Sequence, residues 1–398
     1  MARCLVCLVS DQTIPNIIVA AHFKPEYLLL ISTPGMEKKD KSKAILDALC
    51  LHGLDYSSRH HIIEALEDSI VDFQKKVTDW LGETDQEWEF VVNLTGGTKL
   101  MSIAAYDLFR NDFGSEMVYV PIPKNEFLTP FPKRRPKNPT LLNDRLSVVE
   151  YFAAYGFKVI NQSKLDGYQE QANARKDLTE FIFAHYQDIR PLLVWFRDQL
   201  HSVKAAKLKK GYDLKGKFIS ACKYQKEMLE RLGYQWEEYE ISKKVFEPEW
   251  DYLRGGWLDE HLFLSVRNAV PQGASADVRL NVRCEDPSKL QNEFDVVFSY
   301  ENTLFLIECK SLGAAEGNEQ HIGGTISDFL YKLGALRRNF GLTPRAFLAT
   351  TSEDVLDNTG NLKPNLAERG RQFLTEILPL LKNMDVTAYF KEKIFHKN

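Results

Sequence analysis

The sequence predicts an α/β protein in which two α/β regions, one at each end of the chain, are joined by a helical connector. Short apolar runs alternate with amphipathic helical patterns near the N-terminus, and this alternation returns after about residue 240. Strands that alternate with helices favour a parallel sheet with right-handed crossovers. The length of 398 residues also exceeds that of one ordinary hydrophobic core. We expect three regions, which are residues 1–135, 136–238 and 239–398.

The N-terminal region is expected to contain a parallel sheet that is buried on both faces. Its apolar runs are continuous rather than alternating, which is typical of strands covered on both sides. Two amphipathic patterns predict helices over residues 58–82 and 99–110. Ligands bind such sheets beyond the carboxyl ends of the strands. The predicted strands are residues 3–9, 27–32, 89–94 and 116–121.

A proline-rich segment over residues 121–139 marks the end of the first region. Its prolines exclude a continuous helix or a central strand. The connector that follows is mainly helical in pattern, with amphipathic stretches at LSVVEYFAAYGF and KFISACKYQKEMLERLGY. The C-terminal region opens on a helix near residues 257–266. Its predicted strands are residues 293–300, 303–310, 345–350 and 386–390.

The net charge of −4 excludes a strongly basic protein, although local basic patches could still bind nucleic acid. Two patches stand out, Lys133–Lys137 and a lysine cluster over residues 204–217, and each is equally consistent with a solvated surface. No apolar run is long enough to span a bilayer. The scattered cysteines suit free thiols in a reducing cytosol, so we expect a cytoplasmic protein that binds no membrane. The lysine cluster consists of Lys204, Lys207, Lys209, Lys210, Lys215 and Lys217.

The stretch EFDVVFSYENTLFLIECKS predicts a β-hairpin with carboxylates on its facing strands. A two-residue loop over residues 301–302 places Asp295 opposite Glu308, with Lys310 two residues further along on the same face. Two opposed carboxylates in an apolar hairpin destabilise it unless a proton or a cation lies between them. A hard divalent ion such as Mg²⁺ or Mn²⁺ meets that need. The alternative is a solvated strand face with an ordinary Lys–Glu pair.

This arrangement resembles the PD-(D/E)xK motif of restriction-endonuclease-like nucleases, with Asp295 followed by Glu308-Cys309-Lys310. The resemblance implies that the C-terminal region has the restriction-endonuclease-like α/β fold. It implies a metal-dependent endonuclease in which Asp295, Glu308 and Lys310 are catalytic. It also implies that Mn²⁺ or Mg²⁺ is held by Asp295, Glu308 and the backbone carbonyl of Cys309.

Two helices add residues to that resemblance. Such nucleases often carry a further acidic residue on the helix before the hairpin, where GGWLDEHLF offers Asp259 and Glu260. We take Glu260 as the catalytic residue, and Asp259 stays an alternative. The segment SDFLYKLGALRR resembles the helix that faces nucleic acid, so Lys332 is expected to contact the substrate. An ordinary amphipathic helix would show the same pattern.

The stretch NLTGGTKLMSIAAYDLF predicts the end of a buried strand, a glycine turn and the start of a helix. Gly96 and Gly97 allow backbone N–H groups to approach an anion at the positive end of the helix dipole. Thr95, Thr98 and Lys99 add two hydroxyls and a positive charge. The spacing is neither GxxxxGK[ST] nor GxGxxG, so neither a nucleoside triphosphate nor a dinucleotide is indicated. A tight turn that binds nothing is the alternative.

Polar turns also end the first two predicted strands, at SDQTIPN and STPG, and all three turns would meet at one edge of the sheet. This trio resembles the CRISPR-associated Rossmann-fold (CARF) domain, which binds cyclic oligoadenylates across a homodimer interface. With the nuclease motif behind it, the chain resembles the CARF–PD-(D/E)xK ancillary nucleases of type III CRISPR systems. The resemblance implies that a ring, expected to be cyclic tetra-adenylate, is contacted by Ser10, Gln12, Thr13, Asn16, Thr33, Thr95, Gly96, Gly97, Thr98 and Lys99.

The combined resemblance implies a homodimer whose two nuclease domains rearrange when the ring binds. We expect that change to pass through the helical connector. The expected activity is cleavage of DNA, by nicking it or by cutting single strands, and/or of single-stranded RNA, with little sequence specificity. Two other functions stay open at this point. One is a ligand-sensing transcription regulator that only binds DNA, and the other is a restriction or repair nuclease whose N-terminal region only dimerises.

Overall fold

The computed structural model contains two large sheets, joined by a helical region that carries a third, small sheet. It describes residues 2–84, 86–112, 115–131, 139–200, 203–219, 222–311, 319–380 and 384–396. The basic patch Lys133–Lys137 lies outside these residues. Within the described ranges, no helix combines the length and the apolar composition needed to cross a membrane.

The N-terminal sheet is built largely as predicted. Its strands are β1 (Ala2–Leu8), β2 (Tyr27–Ser32), β3 (His60–Glu64), β4 (Trp88–Asn93), β5 (Glu116–Tyr119), β6 (Glu126–Phe131) and β7 (Thr140–Leu141). Its helices are α1 (Ile14–Phe23), α2 (Pro34–Glu37), α3 (Lys41–Leu51), α4 (Ile70–Glu83) and α5 (Lys99–Asp112). The spatial order is β3-β2-β1-β4-β5-β6-β7, and β1 to β5 are parallel. The four predicted strands are therefore confirmed.

One part of the N-terminal prediction is wrong. The helix expected over residues 58–82 is divided, because HHIIE forms β3 beside β2. Helix α4 begins only after Ser69, whose hydroxyl accepts a hydrogen bond from the backbone N–H of Asp72. The proline-rich segment contains strand β6, which pairs with β5 through an interrupted register near the sheet edge. Such irregular outer pairing tolerates Pro130, which has no N–H to donate.

The connector is mainly helical, with α6 (Val148–Ala154), α7 (Leu165–Ala174), α8 (Lys176–Ala184), α9 (Tyr186–Leu200), α10 (Ala205–Lys210) and α11 (Lys223–Arg231). Its strands are β8 (Lys158–Val159), β9 (Tyr212–Lys217), β10 (Gln235–Glu237) and β11 (Glu240–Val245). The last three form an antiparallel sheet in the order β10-β11-β9, which the sequence did not predict. Strand β11 extends this sheet beyond the expected boundary at residue 238.

The C-terminal sheet has the order β16-β15-β14-β13-β12-β8, with β14 to β16 parallel and the other neighbours antiparallel. Its new strands are β12 (Ala276–Glu285), β13 (Gln291–Tyr300), β14 (Thr303–Lys310), β15 (Arg345–Thr350) and β16 (Thr375–Pro379). Its helices are α12 (Glu247–Asp251), α13 (Trp257–Ala269), α14 (Glu319–Arg338), α15 (Pro364–Gln372) and α16 (Val386–Phe390). Short 3₁₀ or π-helical turns cover Gln162–Lys164, Tyr252–Gly256, Glu353–Val355 and Lys391–Phe395.

One C-terminal prediction is wrong, because residues 386–390 form helix α16 and not a strand. The side chain of Asp385 accepts a 2.9 Å hydrogen bond from the backbone N–H of Ala388, and this cap starts the helix. The last strand of the sheet is β16 instead. The other three predicted strands and the helix near residues 257–266 are confirmed.

Helix α6 packs between the two large sheets. The ring centroid of Phe152 lies 5.6 Å from that of Phe294 in β13 and 4.7 Å from that of Phe340 after α14. On the N-terminal side, Glu150 Oε1 lies 3.2 Å from Nδ1 of His52, at the end of α3. One apolar core therefore runs without interruption from the N-terminal sheet through α6 to the C-terminal sheet.

Candidate functional site

The hairpin of β13 and β14 carries the charged residues that the sequence pattern predicted. Its loop residues Glu301 and Asn302 have left-handed backbone angles, with φ of 49° and 54°, as a type I′ turn requires. Pairing follows the predicted register over five residue pairs. Just beyond them, Oδ2 of Asp295 accepts a 2.7 Å hydrogen bond from the backbone N–H of Cys309. The predicted hairpin is thus confirmed, and it brings Asp295 against β14.

Lys310, at the end of β14, links the two carboxylates of the hairpin. Its Nζ lies 2.8 Å from Oε1 of Glu308 and 3.8 Å from Oδ2 of Asp295. Burial lowers the pKa of Lys310, but the two carboxylates outweigh burial and leave the pKa raised. Burial, followed by the charge of Glu308, raises the pKa of Asp295 to about 7. The ammonium therefore stays charged beside carboxylates that a further cation would stabilise.

Asp259 on α13 joins this cluster, whereas its neighbour Glu260 is engaged elsewhere. The carboxylates of Asp259 and Asp295 and the Sγ of Cys309 offer atoms that all lie within 4.8 Å of one another. Burial and then the charge of Asp295 raise the pKa of Asp259 well above its ordinary value. Glu260 is buried, and its Oε2 accepts a 3.2 Å hydrogen bond from Nε of Arg175. The geometry favours the alternative Asp259 over Glu260.

The donor atoms of this cluster suit a hard divalent ion. Asp259 and Asp295 supply carboxylate oxygens, which Mg²⁺ and Mn²⁺ take together with water, whereas Glu308 is not in this group and pairs with Lys310. The raised pKa values of both aspartates show that their surroundings disfavour the charged carboxylates. A bound cation would reverse that effect. The Sγ of Cys309 also lies within reach of both aspartates. From the sequence, only the backbone carbonyl of this residue had been considered.

The cluster opens into a cleft of about 860 Å³ that is lined by seven cations and six carboxylates, including Asp259, Glu260 and Asp295. Lys209 is a member of the predicted lysine cluster and lines this cleft. Lys332 is exposed on α14, outside the described lining of the cleft, so its contact with substrate stays a prediction. The cations that line the cleft are Lys164, Arg175, Arg197, Lys209, Arg254, Arg283 and Lys310.

The glycine turn after β4 lies against the end of β1. A Cβ added to Gly96 would lie 2.0 Å from the backbone oxygen of Leu8, so no side chain fits there. Gly97 has a φ of +70°, which also favours glycine. The hydroxyl of Thr98 accepts a hydrogen bond from the first turn of α5, and Lys99 is exposed as the first residue of that helix. Both glycines are therefore required by the fold itself, whether or not an anion binds.

Thr13 and Asn16, which were expected to contact the ring, are fully buried. The Thr13 hydroxyl donates a 2.6 Å hydrogen bond to the backbone oxygen of Ala154 in α6. The Asn16 amide oxygen accepts a 2.8 Å hydrogen bond from the side chain of Asn93, whose own oxygen accepts one from the Thr95 hydroxyl. Their polar atoms hold the strand ends in place, and a contact of either side chain with the ring stays a prediction.

The other predicted ring contacts lie at the same sheet edge. Ser10 Oγ accepts a hydrogen bond from the backbone N–H of Gln12, and Thr33 caps α2 through its hydroxyl. Gln12 also reaches the C-terminal region, where its Oε1 accepts a 3.2 Å hydrogen bond from the backbone N–H of Leu342. Sequence reasoning missed this contact, because 330 positions separate the two residues and no local pattern links them.

The turn of the hairpin is anchored in the segment that leaves the N-terminal sheet. The Oδ1 of Asn302 accepts a 2.9 Å hydrogen bond from the backbone N–H of Leu146. Its Nδ2 donates to Oδ1 of Asn125 at 2.8 Å and to the backbone oxygen of Asp144 at 3.0 Å. The strands that carry Asp295 and the other charged residues are therefore tied directly to the N-terminal region.

Two family models match the chain, one in its N-terminal part and one in its C-terminal part. Residues 4–151 match the family model of the Card1 CARF domain, and residues 247–376 match that of the Card1-like endonuclease domain. The chain belongs to the CARF-domain ancillary nucleases of type III CRISPR systems. For this CARF-domain nuclease, the endonuclease match disfavours a regulator that only binds DNA. No curated protein matches the chain.

Solved structures similar to this CARF-domain nuclease cover almost its whole length. Can2 from Sulfobacillus thermosulfidooxidans, in complex with cyclic tetra-adenylate, is 19% identical with a TM-score of 0.70, over 99% of this chain and 98% of its own. Protein VC1899 from Vibrio cholerae is 18% identical with a TM-score of 0.72, over 98% of this chain and 97% of its own. A type III CRISPR defence DNA nuclease activated by cyclic oligoadenylate is 15% identical with a TM-score of 0.54, over 94% of this chain and 52% of its own. The TM-scores show that these proteins share the fold of this chain, although their sequences are less than 20% identical to it.

Proposed function

We propose that this protein is a metal-dependent endonuclease that hydrolyses phosphodiester bonds when a cyclic oligoadenylate binds its CARF domain. The observation that carries the proposal is the group of Asp259, Asp295 and Lys310 at a cleft that also offers six further cations, with Glu308 paired to Lys310. The cations attract the phosphates of a nucleic acid. The half-buried carboxylates of Asp259 and Asp295 would repel those phosphates, so their presence at this point favours a metal-dependent reaction over simple binding.

In the proposed centre, Asp295, Glu308 and the backbone carbonyl of Cys309 hold Mn²⁺ or Mg²⁺, and Asp259 takes the place of Glu260 as the further acidic residue. When bound, such an ion polarises a phosphoryl oxygen and lowers the pKa of a water. The chain itself supplies the carboxylates that place the ion and the cleft that holds the substrate.

Lys310 and Arg175 have distinct proposed roles. Glu308 holds the Lys310 ammonium at 2.8 Å, where it can orient the attacking water or stabilise charge that develops on the phosphate. Glu260 holds the Arg175 guanidinium at the wall of the same cleft, where its remaining N–H groups can contact phosphate oxygens. Glu260 then acts as a positioning residue for Arg175.

The proposed activity is cleavage of DNA, by nicking it or by cutting single strands, and/or of single-stranded RNA, with little sequence specificity. The cleft offers lysine and arginine side chains, which bind phosphates without reading bases. Binding through phosphates releases counterions, so cleavage should weaken steeply as the salt concentration rises. A cleavage rate that is independent of salt would contradict this description of the cleft.

The proposed activator is cyclic tetra-adenylate, bound between two copies of the chain at the ends of β1, β2 and β4. The Card1 CARF match supports this proposal, as does the shared fold with Can2, which was solved with that ring. Lys99 is exposed beside the glycine turn, and Leu100 and Ile103 on the same helix are 38% and 54% exposed. Exposed apolar side chains beside an anion site suit a dimer interface around a symmetric ring.

The structure suggests a shorter route from sensor to nuclease than the helical connector. Gln12 contacts Leu342 directly, and Asn302 ties the hairpin turn to the segment that follows the sensor sheet. A ring that binds the active arrangement better than the idle one would shift the population towards the active one. We infer that these contacts carry the shift to the hairpin.

One assay tests both halves of the proposal. The protein is incubated with Mn²⁺, labelled single-stranded DNA and RNA, and a supercoiled plasmid, with and without cyclic tetra-adenylate. We expect cleavage only when metal and ring are both present. Lys310→Ala should abolish cleavage but keep the affinity for the ring, because the two sites are in different regions.

The exposed Lys176, which pairs with Glu180 on α8, provides a matched control as Lys176→Ala. This variant should cleave like the wild type. Full cleavage by Lys310→Ala in Mn²⁺ would remove the proposed active centre. Cleavage that does not respond to the ring would remove the proposed sensor role.

A further inference from the structure

A second cavity, of about 910 Å³, lies between the sensor and the nuclease regions. The loop after β1 and the start of α3 form its sensor side, and the segment after α14 and the turn after β12 form its nuclease side. Carboxylates of Asp11, Asp40 and Asp286 face it together with a larger number of cations. The cations are Lys38, Lys39, Lys41, Arg337 and Arg338.

The carboxylates of this cavity are mostly engaged with other groups. Both oxygens of Asp11 lie 3.0 Å from Nζ of Lys39. The Oδ1 of Asp286 accepts hydrogen bonds from two backbone N–H groups of its own turn, at 2.8 and 2.9 Å. Asp40 is exposed at the surface and does not cap α3 with its side chain. The positive charges of the cavity therefore exceed the negative charges that could compensate them.

Lys41 is the most informative of these cations. It is only 8% exposed, and it makes no hydrogen bond or ion pair with any other described residue. Its Nζ lies 5.3 Å from the ring centroid of Tyr155, which also lines the cavity. Burial is the main cause that lowers the pKa of Lys41. The charge of Asp11 opposes that effect, but no described carboxylate lies within ion-pair distance of the Lys41 ammonium. Lys41 can therefore pair with an anion that enters the cavity.

Two neighbouring features also favour an anion. Arg337 is 7% exposed, and among the described residues its side chain makes one hydrogen bond, from Nη1 to the backbone oxygen of Pro344. The eleven-residue helix α3 starts at Lys41 without a side-chain cap, although the carboxylate of Glu37 accepts a hydrogen bond from the Ser42 hydroxyl in its first turn. A buried ammonium, a buried guanidinium and a helix N-terminus thus share one cavity.

We propose that this cavity binds a phosphate group of a nucleotide-sized ligand away from the glycine turn, although Gln12, an expected contact of the ring, also lines it. Phosphate matches an ammonium, a guanidinium and backbone N–H groups at the same time. The volume exceeds what inorganic phosphate needs and lies within the range of small-molecule sites. Because its walls come from both regions, a bound ligand would hold the sensor against the nuclease.

Calorimetric titration of the full chain with pyrophosphate, without divalent metal, tests the site. The wild type should bind pyrophosphate, and Lys41→Met should bind it at least about tenfold more weakly, since a charge-assisted hydrogen bond is lost. Lys43→Met is the matched control, because Lys43 is on the same helix but exposed and paired with Asp47 at 2.7 Å. Lys99→Ala, at the glycine turn, should also leave pyrophosphate binding unchanged.

Thermal unfolding gives an independent measurement on the same variants. Lys41→Met removes an unpaired buried charge, so its Tm without anion should equal or exceed that of the wild type. Pyrophosphate should raise the Tm of the wild type and of Lys43→Met but not that of Lys41→Met. Arg337→Leu should lose the same response and serves as a second variant.

Competition identifies the source of the phosphate. Displacement of pyrophosphate by cyclic tetra-adenylate would identify the ring as the ligand, and displacement by a short single-stranded oligonucleotide would identify nucleic acid. Either result supports a phosphate site in this cavity. The proposal is overturned if the wild type does not bind pyrophosphate, or if Lys41→Met and Arg337→Leu bind it as tightly as the wild type does.

Discussion

Replacing Asn302 with glycine should release the hairpin turn from the sensor region while leaving the turn itself intact. Asn302 has a φ of +54°, which glycine adopts without strain, so the substitution removes the side chain alone. That side chain is 6% exposed and makes hydrogen bonds to Leu146, Asn125 and Asp144 at 2.8–3.0 Å. Nothing else about the register of the hairpin needs to change.

The size of the effect follows from these three hydrogen bonds. Each contributes about 1 kcal/mol net, so their loss destabilises the contact by about 3 kcal/mol. A difference of that size corresponds to about a hundredfold change in the equilibrium for local opening. The backbone N–H of Leu146 reports on it most directly, because Asn302 is its acceptor. Its amide hydrogen should therefore exchange about a hundredfold faster in Asn302→Gly.

Hydrogen exchange read by mass spectrometry on a peptide that includes Leu146 measures this change. Lys289→Gly is the matched control, since Lys289 also has a left-handed backbone, with φ of +69°, in the loop between β12 and β13. The control should exchange like the wild type near Leu146. Unchanged protection of this amide in Asn302→Gly would refute the anchoring argument. If anchoring also transmits activation, cleavage at saturating ring should fall while the affinity for the ring stays unchanged.

Three other expectations concern single sites. Lys99→Ala should weaken binding of cyclic tetra-adenylate at least about tenfold, because a charge-assisted hydrogen bond contributes about 1.5–3 kcal/mol, and equal affinity by calorimetry would exclude Lys99 from the ring site. Asp259→Asn should abolish Mn²⁺-dependent cleavage, whereas Glu260→Gln should chiefly lower the Tm by leaving Arg175 without its buried partner. If Glu260→Gln instead abolished cleavage and Asp259→Asn only lowered the Tm, Glu260 would be the catalytic residue. A hydrogen bond to Glu150 is the main cause that raises the pKa of His52 above 6.5. Protonated His52 therefore stabilises the fold fully below about pH 6.5, and this contribution is lost as the pH rises through the raised pKa. The Tm difference between wild type and His52→Asn should therefore shrink between about pH 6 and pH 9, and a constant difference would contradict the assignment.

The hairpin could be predicted closely because a two-residue loop determines the pairing of every residue that follows it. The choice between Asp259 and Glu260 could not be made in the same way. Adjacent residues on a helix point about 100° apart, and the packing of α13 decides which of them faces the cleft. That packing depends on Arg175, which is 85 positions away from Glu260.

Polar residues at strand ends posed a related difficulty in the sensor. Thr13 and Asn16 have the side chains of ligand contacts, yet they are buried and bonded to the chain. Sequence shows which hydrogen bonds a residue can make, but burial decides whether the partner is a ligand or the protein. Strand β3 and helix α16 were missed for another reason, because five residues contain too few repeats of a pattern to distinguish helix from strand.

The position of α6 and β8 limits how far the two halves of this protein can be treated as interchangeable modules. A fragment that begins at residue 239 would lack β8, which completes the edge of its sheet beyond β12, and α6, whose Phe152 covers Phe294 and Phe340. The fragment would expose an open strand edge and an apolar face, both of which promote aggregation. Exchanging the sensor for that of a relative would therefore preserve a folded nuclease only if residues 147–159 stayed with the nuclease.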